Sequence, residues 1–438
     1  MSLTYEIRDP IHRTIVITED ERRVVDHPWL QRLRRICQLG FVSLVYPGAV
    51  HDRFQHSLGV MHLAGFRFQR LVDAKSPGFA GLSAADLDYG YRLARFSGLL
   101  HDVGHAPFSH TTEEFLPGVG AIALNGDWYV HQAPSGRQAT HEDFTLAAIH
   151  GLIGEGVLEE GLARDVAAVL SPTIRPSPRL AALGPLAGIL RALVNGELDA
   201  DRCDYLLRDS HFSGVTYGIY DLQRLIACET LVPGPDGPEL GLDVHGVHAV
   251  EALLLARYHM FHQVYFHKTP PAFEYYLGRA LAEGEIALPL GSVAELMALR
   301  DDHVIRQLHE AKDGGGIWSK RILDREPAKL VLRERLGAEA QENFLAQALT
   351  DSLVKAGCHV FHRHSRQVFS TLEGPQNPHG RRLLCERRVL GRPIIEPVTR
   401  HSDLLAAFNK PIDLRHTYVL RQDAATAAKV MENVQVWE

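Results

Sequence analysis

The pentad His101-Asp102-Val103-Gly104-His105 stands directly after a long apolar segment and constrains the fold more than any other stretch of the chain. Adjacent residues cannot share one face of a regular helix. His101 and Asp102 can therefore meet a common partner only at a helix end or bend, where Gly104 and Pro107 relax the backbone. A lone His56 precedes the pentad, and an Asp-rich run, Asp199-Ala200-Asp201-Arg202-Cys203-Asp204, follows it. Two imidazoles and two carboxylates suit a hard or borderline divalent cation and leave positions open for water or phosphate oxygen. The pattern is that of a metal phosphohydrolase, provided a helical fold gathers its distant members.

The first two thirds of the chain read as helix. Val24, Val25, Trp29, Leu30, Leu33 and Ile36 repeat between Arg22 and Gln38 and predict one amphipathic helix ended by Gly40. Apolar repeats predict helices over 56–72 and 88–100, the second running into His101. The Gly-, Asn-, Pro- and Ser-rich stretch 117–140 reads as a loop long enough to cover a substrate. His141 then opens another helix with Thr140 as its N-cap. Leu231-Val232 and Leu240-Gly241-Leu242 flank a Pro-Gly-Asp turn and predict a hairpin. A helical stretch over 247–282, broken near Pro270-Pro271, follows it. Beyond Gly291 the segments are mixed, with β-like runs at 389–395 and 416–420 and a last helix over 424–434. The predicted architecture is mostly α: a helical catalytic core over 1–290 and a smaller α+β accessory lobe over 291–438.

Bland readings take several residues. His51-Asp52, a second His-Asp pair after Pro47-Gly48, lacks the Gly/His punctuation of the pentad and reads as solvated. Arg32-Leu33-Arg34-Arg35 reads as a solvated helix face, and so do Arg381-Arg382 and Arg387-Arg388. His56 gains weight from Arg53 close before it at the start of a buried helix. Asp201 competes with Asp199 and Asp204 for the fourth ligand position, and periodicity does not choose among them. His105, His110, Glu113 and His141 form a second tier of titratable groups that could protonate a leaving alkoxide or orient water. Arg53, Arg202, Arg257 and Lys268 each neighbour a motif and are candidate phosphate-binding cations. Tyr265-Phe266-His267-Lys268 could fence a ring system.

Composition narrows the class. Hydrophobic content of 45% and charged content of 23% are those of an ordinary soluble globular protein. No apolar run is long enough to span a bilayer, and the N-terminus lacks a signal-peptide core, so a cytoplasmic location is expected. The five cysteines show no Cys-x-x-Cys spacing, which argues against a disulfide framework or a thiolate zinc site. A net charge of -7 makes the surface a poor generic polyanion binder, so nucleic acid is not a favoured partner.

In these residues the chain resembles the HD-domain superfamily, and within it the deoxynucleoside triphosphate (dNTP) triphosphohydrolases. The resemblance runs through Arg8-Asp9-Pro10-Ile11-His12, Gln31-Arg32-Leu33-Arg34, Gln38-Leu39-Gly40, Pro47-Gly48-Ala49 and Arg53-Phe54-Gln55-His56-Ser57-Leu58-Gly59-Val60. It continues in Leu100 to His110, Thr140-His141-Glu142, Asp201-Arg202-Cys203-Asp204-Tyr205, Arg208-Asp209 and Tyr265 to Lys268.

The resemblance implies His56, His101, Asp102 and Asp201 as metal ligands, and a divalent cation (Mn, Fe, Mg, Co or Zn), with further Mg on the triphosphate. His105, His110, Glu113 and His141 would surround the scissile phosphate, His110 nearest to acid duty. Gln38 and Asp209 would read the sugar 3'-hydroxyl, with Leu39 and Tyr205 beside them. Tyr265 would press on the sugar edge, and Arg53, Arg202, Arg257 and Lys268 would clamp the triphosphate. The implied reaction is attack of water on the α-phosphorus, releasing a deoxynucleoside and triphosphate. An HD nucleotidase or single-strand nuclease is the alternative.

Relatives assemble as tetramers, so a homo-oligomer, tetramer or dimer, is expected. GTP or dNTP activators are implied too. Asp26, Gln31 and Arg34 match the family's nucleotide-contacting helix, whereas Tyr5 and Arg8 stand where it has Lys and Asn. Arg202 replaces a usual Lys, and a planar fork is not equivalent to a point charge. No sterile-alpha-motif domain is expected ahead of motifs that begin almost at Met1.

Overall fold

A computed structural model describes residues 3–234, 237–336, 340–370, 372, 382–408 and 412–433. The turn residues Pro235 and Asp236, Arg381 and Val434 lie outside them. The protein is mostly helical, with three small sheets.

Two long helices form the spine. Arg53–Asp73 starts where Asp52, as N-cap, accepts from the Gln55 amide at 2.9 Å. Ala84–Leu100 starts at a Ser83/Asp86 capping box and ends at His101. The pentad thus sits past a helix end, as its adjacent His and Asp require. Val60, Met61, Ala64, Phe68, Leu93, Ala94 and Leu100 seal the contact between the two helices in the main hydrophobic core.

Several expected elements appear with shifted bounds. Thr140 and Asp143 form a capping box opening His141–Gly154. Asp199 caps Ala200–Ser213, accepting from the Arg202 amide at 2.7 Å. The stretch 247–282 divides into Val247–Met260, a π-turn Phe261–Tyr265, and Pro270–Ala282. The single helix expected over 22–38 is instead broken. Pro28 lacks an amide hydrogen and opens a new turn, so the chain runs as Glu19–Val25, Pro28–Gln31 and a 3-10 turn Arg32–Arg35.

The sheets are small. Strands β1 (Thr4–Asp9) and β2 (Arg13–Thr18) form a hairpin with Thr4 opposite Thr18. In its turn Asp9 accepts from the amides of Ile11 and His12. Strands β3 (Glu229–Gly234) and β4 (Gly237–Asp243) are the expected hairpin. Strand β5 is Lys329–Arg335 and β6 is Val360–Gln367. Strand β7 (Leu384–Val389) pairs parallel to β4 and antiparallel to β8 (Arg392–Pro397). Strand β9 (Ile412–Val419) lies between β5 and β6. Residues on both sides of position 290 share the main core, among them Leu296, Leu299, Phe369, Cys385 and Leu414.

Candidate metal centre and adjoining cleft

His56 lies on the first turn of its helix, His101 and Asp102 at the end of theirs, and Asp201 on the first turn of Ala200–Ser213. These three helix ends converge. His56 Nε2 is 2.9 Å from Asp201 Oδ1, 3.3 Å from His101 Nε2 and 3.9 Å from Asp102 Oδ2. His101 Nε2 is 3.4 Å from Asp102 Oδ1 and 3.7 Å from Asp201 Oδ1. Donors on one cation with bonds of about 2.0–2.2 Å stand about 3 Å or more apart, so this spacing fits a metal.

The outer hydrogen bonds fit as well. His56 Nδ1 donates to Asp204 Oδ2 at 2.8 Å and His101 Nδ1 donates to the Gly98 carbonyl at 2.8 Å. With their Nδ1 protons committed outward, both rings turn their Nε2 atoms to the common centre. Burial disfavours the His56 imidazolium, yet hydrogen bonds to Asp201 and Asp204 and their charges raise its pKa to about 10. Burial likewise opposes ionisation of Asp102, but His101, His105 and Arg53 hold its carboxyl well below the usual range. The pocket is thus an anionic nest that draws positive charge.

The three competing aspartates occupy three places. Asp199 is the buried helix cap, its pKa raised to about 6 by burial. Asp201 faces His56 and His101. Asp204 is fully buried behind His56, where Arg208 and His12 also bond it. Gly59 permits this approach, since a Cβ there would stand 1.9 Å from Asp204 Oδ1.

Beside the cluster, the His105 and His141 rings stack at 3.9 Å and 15°. Asp102, His105 and His141 bring donor atoms within 4.8 Å of one another, as do His56, His101 and Asp201. Burial and the charges of Arg53 and His141 hold the His105 pKa well down. His141 moves the other way: burial opposes its charge, but Glu113, bonded to its Nδ1, raises its pKa. His110 begins the short helix that carries Glu113; its side chain lies outside the described residues. Gly104 lets the pentad press on the His141 helix, for a Cβ there would fall 2.2 Å from the Thr145 amide.

A cleft of about 410 Å³ opens onto the cluster, lined by Gln38, Leu39, Arg53, Tyr205, Asp209 and Tyr265 among others. Its size falls within the usual ligand range of about 300–1,000 Å³. Arg53 donates to Asp102 Oδ2 at 2.5 Å and to Ser109 Oγ at 2.8 and 3.1 Å. Asp209 accepts from Tyr265 Oη at 2.7 Å, and Gln38 Oε1 is buried with no hydrogen-bond partner among the described residues. A second chamber of about 310 Å³, lined partly by Tyr129, Gln132 and Arg137 of the long loop, reaches the same centre from the other side.

The other three expected cations are not on the cleft wall. Arg202 turns back to the Glu197 carbonyl at 2.8 Å and lies beside Asp199. Arg257 is buried, with Nη1 on the Phe369 carbonyl at 2.8 Å. The Lys268 carbonyl accepts from Tyr418 Oη. Away from the cleft, Asp26 pairs with Arg22, Gln31 bonds the Val25 carbonyl and Arg34, and the Arg34 guanidinium lies 3.7 Å over the Phe54 ring.

Two bland readings are overturned. Arg32 is buried, only 4% exposed, and bonds the carbonyls of Leu299, Val103 and His105. Its burial and hydrogen-bond partners contradict a solvated face at this position, while Arg34 and Arg35 of the same run are exposed as expected. His51 is 1% exposed and bonds Asp209 instead of water. Sequence reasoning also missed Asp301, whose carboxylate accepts from the amides of Cys37 at 2.8 Å and Phe108 at 3.0 Å. Phe108 and Ser109 have φ of 54° and 49°, so Asp301 ties down a left-handed bend beside the site. No local pattern signals these contacts, because their partners are remote in sequence.

Among the described residues no helix is long and apolar enough to cross a membrane, and all five cysteines are free. Residues 220–347 match the family model described as an HD associated region. An uncharacterised protein of Methanocaldococcus jannaschii is 33% identical over 266 residues, 60% of this chain and 46% of its own length. The deoxynucleoside triphosphate triphosphohydrolase SAMHD1 of Homo sapiens is 33% identical over 239 residues, 50% of this chain and 35% of that protein. The chain thus spans about half the length, or less, of these curated relatives. The crystal structure of a hypothetical protein from Aquifex aeolicus matches with a TM-score of 0.74 at 27% identity, covering 98% of this chain and 100% of that one. Helical core and clustered His and Asp residues agree with these likenesses: the chain carries a match to the HD associated region and is similar to the deoxynucleoside triphosphate triphosphohydrolase SAMHD1 over half of its length.

Proposed function

We propose that the protein is a metal-dependent dNTP triphosphohydrolase, which cleaves between the α-phosphorus and the 5'-oxygen and releases a deoxynucleoside and triphosphate. His56, His101, Asp102 and Asp201 would hold the divalent cation. Bound there, that cation would supply Lewis acidity toward a phosphoryl oxygen and lower the pKa of a water. Arg53, already braced by Asp102 and Ser109, offers charge to the phosphates where the cleft meets the cluster. Glu113 raises the His141 pKa against the effect of burial and so favours the imidazolium, whose proton can pass to the leaving 5'-oxygen. His105, held neutral, stacks beside it and can accept a hydrogen bond from water. His110, on the same short helix as Glu113, is the residue proposed nearest to acid duty, with His141 beside it.

The observation that carries the reading is the orphaned Gln38 Oε1 in the same cleft as Asp209. A buried acceptor without a donor is costly, and a ligand hydroxyl would satisfy it. The reading favours a free nucleotide over a nucleic-acid strand, in which internal 3'-oxygens are esterified and have no proton to donate. The test is to incubate the protein with dGTP and a divalent metal and separate the products. Deoxyguanosine and triphosphate are expected; dGMP with pyrophosphate, or orthophosphate, would overturn the reading. Assembly into a homo-oligomer and activation by GTP or a dNTP near Asp26, Gln31 and Arg34 belong to the same proposal.

A further inference from the structure

We propose that His51 is a positioning residue that makes the cleft selective for a free 3'-hydroxyl, by holding the Asp209 carboxylate in one orientation beside Gln38. The inference rests on the nucleotide reading above and deepens it. His51 touches both members of the pair. Its Nε2 donates to Asp209 Oδ1 at 2.8 Å, and its main-chain carbonyl accepts from the Gln38 amide at 3.0 Å. Around it the chain 37–38 runs antiparallel to 51–52, through the bridge between Cys37 and Asp52.

The imidazole is held flat. It stacks on Phe212 with ring centres 4.6 Å apart and planes inclined by 13°. Asp209, 2% exposed, takes His51 on Oδ1 and Tyr265 Oη on Oδ2 at 2.7 Å. Each carboxylate oxygen is therefore pinned by one protein donor and keeps further lone pairs for the cleft that Asp209 lines. Rotating the carboxylate would break both bonds.

Packing alone does not call for an imidazole here. A phenyl ring would stack on Phe212 equally well, and His51 Nδ1 has no hydrogen-bond partner in its buried setting. What only the imidazole supplies is the donor to Asp209. A site built to bond a substrate hydroxyl rejects the analogue lacking it because its own polar groups are left unpaired. That rejection needs the acceptor fixed in advance, and the His51 side chain fixes Asp209.

The experiment compares kcat/KM for dGTP and for 2',3'-dideoxyGTP in the wild type, His51→Phe and His51→Gln, with metal content measured in each. The wild type is expected to prefer dGTP. His51→Phe keeps the stack and loses the donor, so the preference falls roughly tenfold to hundredfold, through dGTP alone and with metal content unchanged. His51→Gln, whose amide nitrogen reaches the position of Nε2, restores most of it. Should His51→Phe not fold, His51→Asn replaces it, because its shorter amide stops short of Asp209. An unchanged preference in the variant that lacks the donor overturns the inference, and so does an equal loss on both substrates without rescue by Gln. A wild type that cleaves neither nucleotide overturns the nucleotide reading itself, a separate result.

Discussion

His101 and Asp102 are neighbours in sequence that share one centre only because the helix ends between Leu100 and the pentad, so each should be indispensable. We expect His101→Ala and Asp102→Ala to lose both bound metal, read by elemental analysis, and hydrolysis. Asp204→Asn should keep the cation but bind it roughly 10- to 100-fold more weakly, since Asp204 orients His56 from behind and is not itself at the common centre. Titration adds a second residue-scale prediction. Burial, then the charge of His12, lowers the His62 pKa to about 4 from 6.5. The folded state holds this imidazole neutral, so its contribution is complete above pH 6.5 and is lost as pH falls toward 4. Melting temperatures should drop over that window, and by less in His62→Phe; an identical drop in both would refute the assignment. Residue types and adjacency made the His-Asp pair visible in the sequence. His51, Arg32 and Asp301 were not, because each acts through a partner more than 70 positions away.

Helices were legible from their apolar stripes, with the cap also readable at Thr140, while the caps Asp52 and Ser83 set starts earlier than the stripes showed. They were misread where a proline interrupts a continuous apolar pattern, as at Pro28. At this scale the site depends on two close contacts between elements. Gly104→Ala drives a methyl into the backbone of the His141 helix, which we expect to destabilise the fold by about 1–3 kcal/mol, as overpacking does. Denaturant unfolding would measure it, and an unchanged midpoint would count against the packing described. Asp301→Ala frees the Phe108–Ser109 bend and the bridge residue Cys37 before Gln38 together. Activity should fall at least tenfold while metal content holds; unaltered kinetics would show that the bend needs no such tie.

Across the whole molecule the centre is assembled from segments that the chain order keeps apart: the turn of the first hairpin, the two spine helices, the Asp201 helix and the start of the helix Asp301–Asp313. Main-core residues come from beyond position 290 as well as before it, β4 pairs with β7, and Arg32 bonds the Leu299 carbonyl. A fragment of residues 1–290 should therefore fail to unfold as one cooperative unit and should show no hydrolysis, even though it carries every expected ligand. A cooperative, active fragment would mean that the later segments are dispensable. The mostly helical class with a smaller mixed lobe was readable from periodicity, whereas this interlocking was not, because it is written in contacts and not in pattern. The most direct test is a crystal grown with manganese and measured for anomalous scattering. The account predicts one peak within about 2.0–2.3 Å of His56 Nε2, His101 Nε2 and oxygens of Asp102 and Asp201. A peak elsewhere, or four side chains that do not share one, would contradict it.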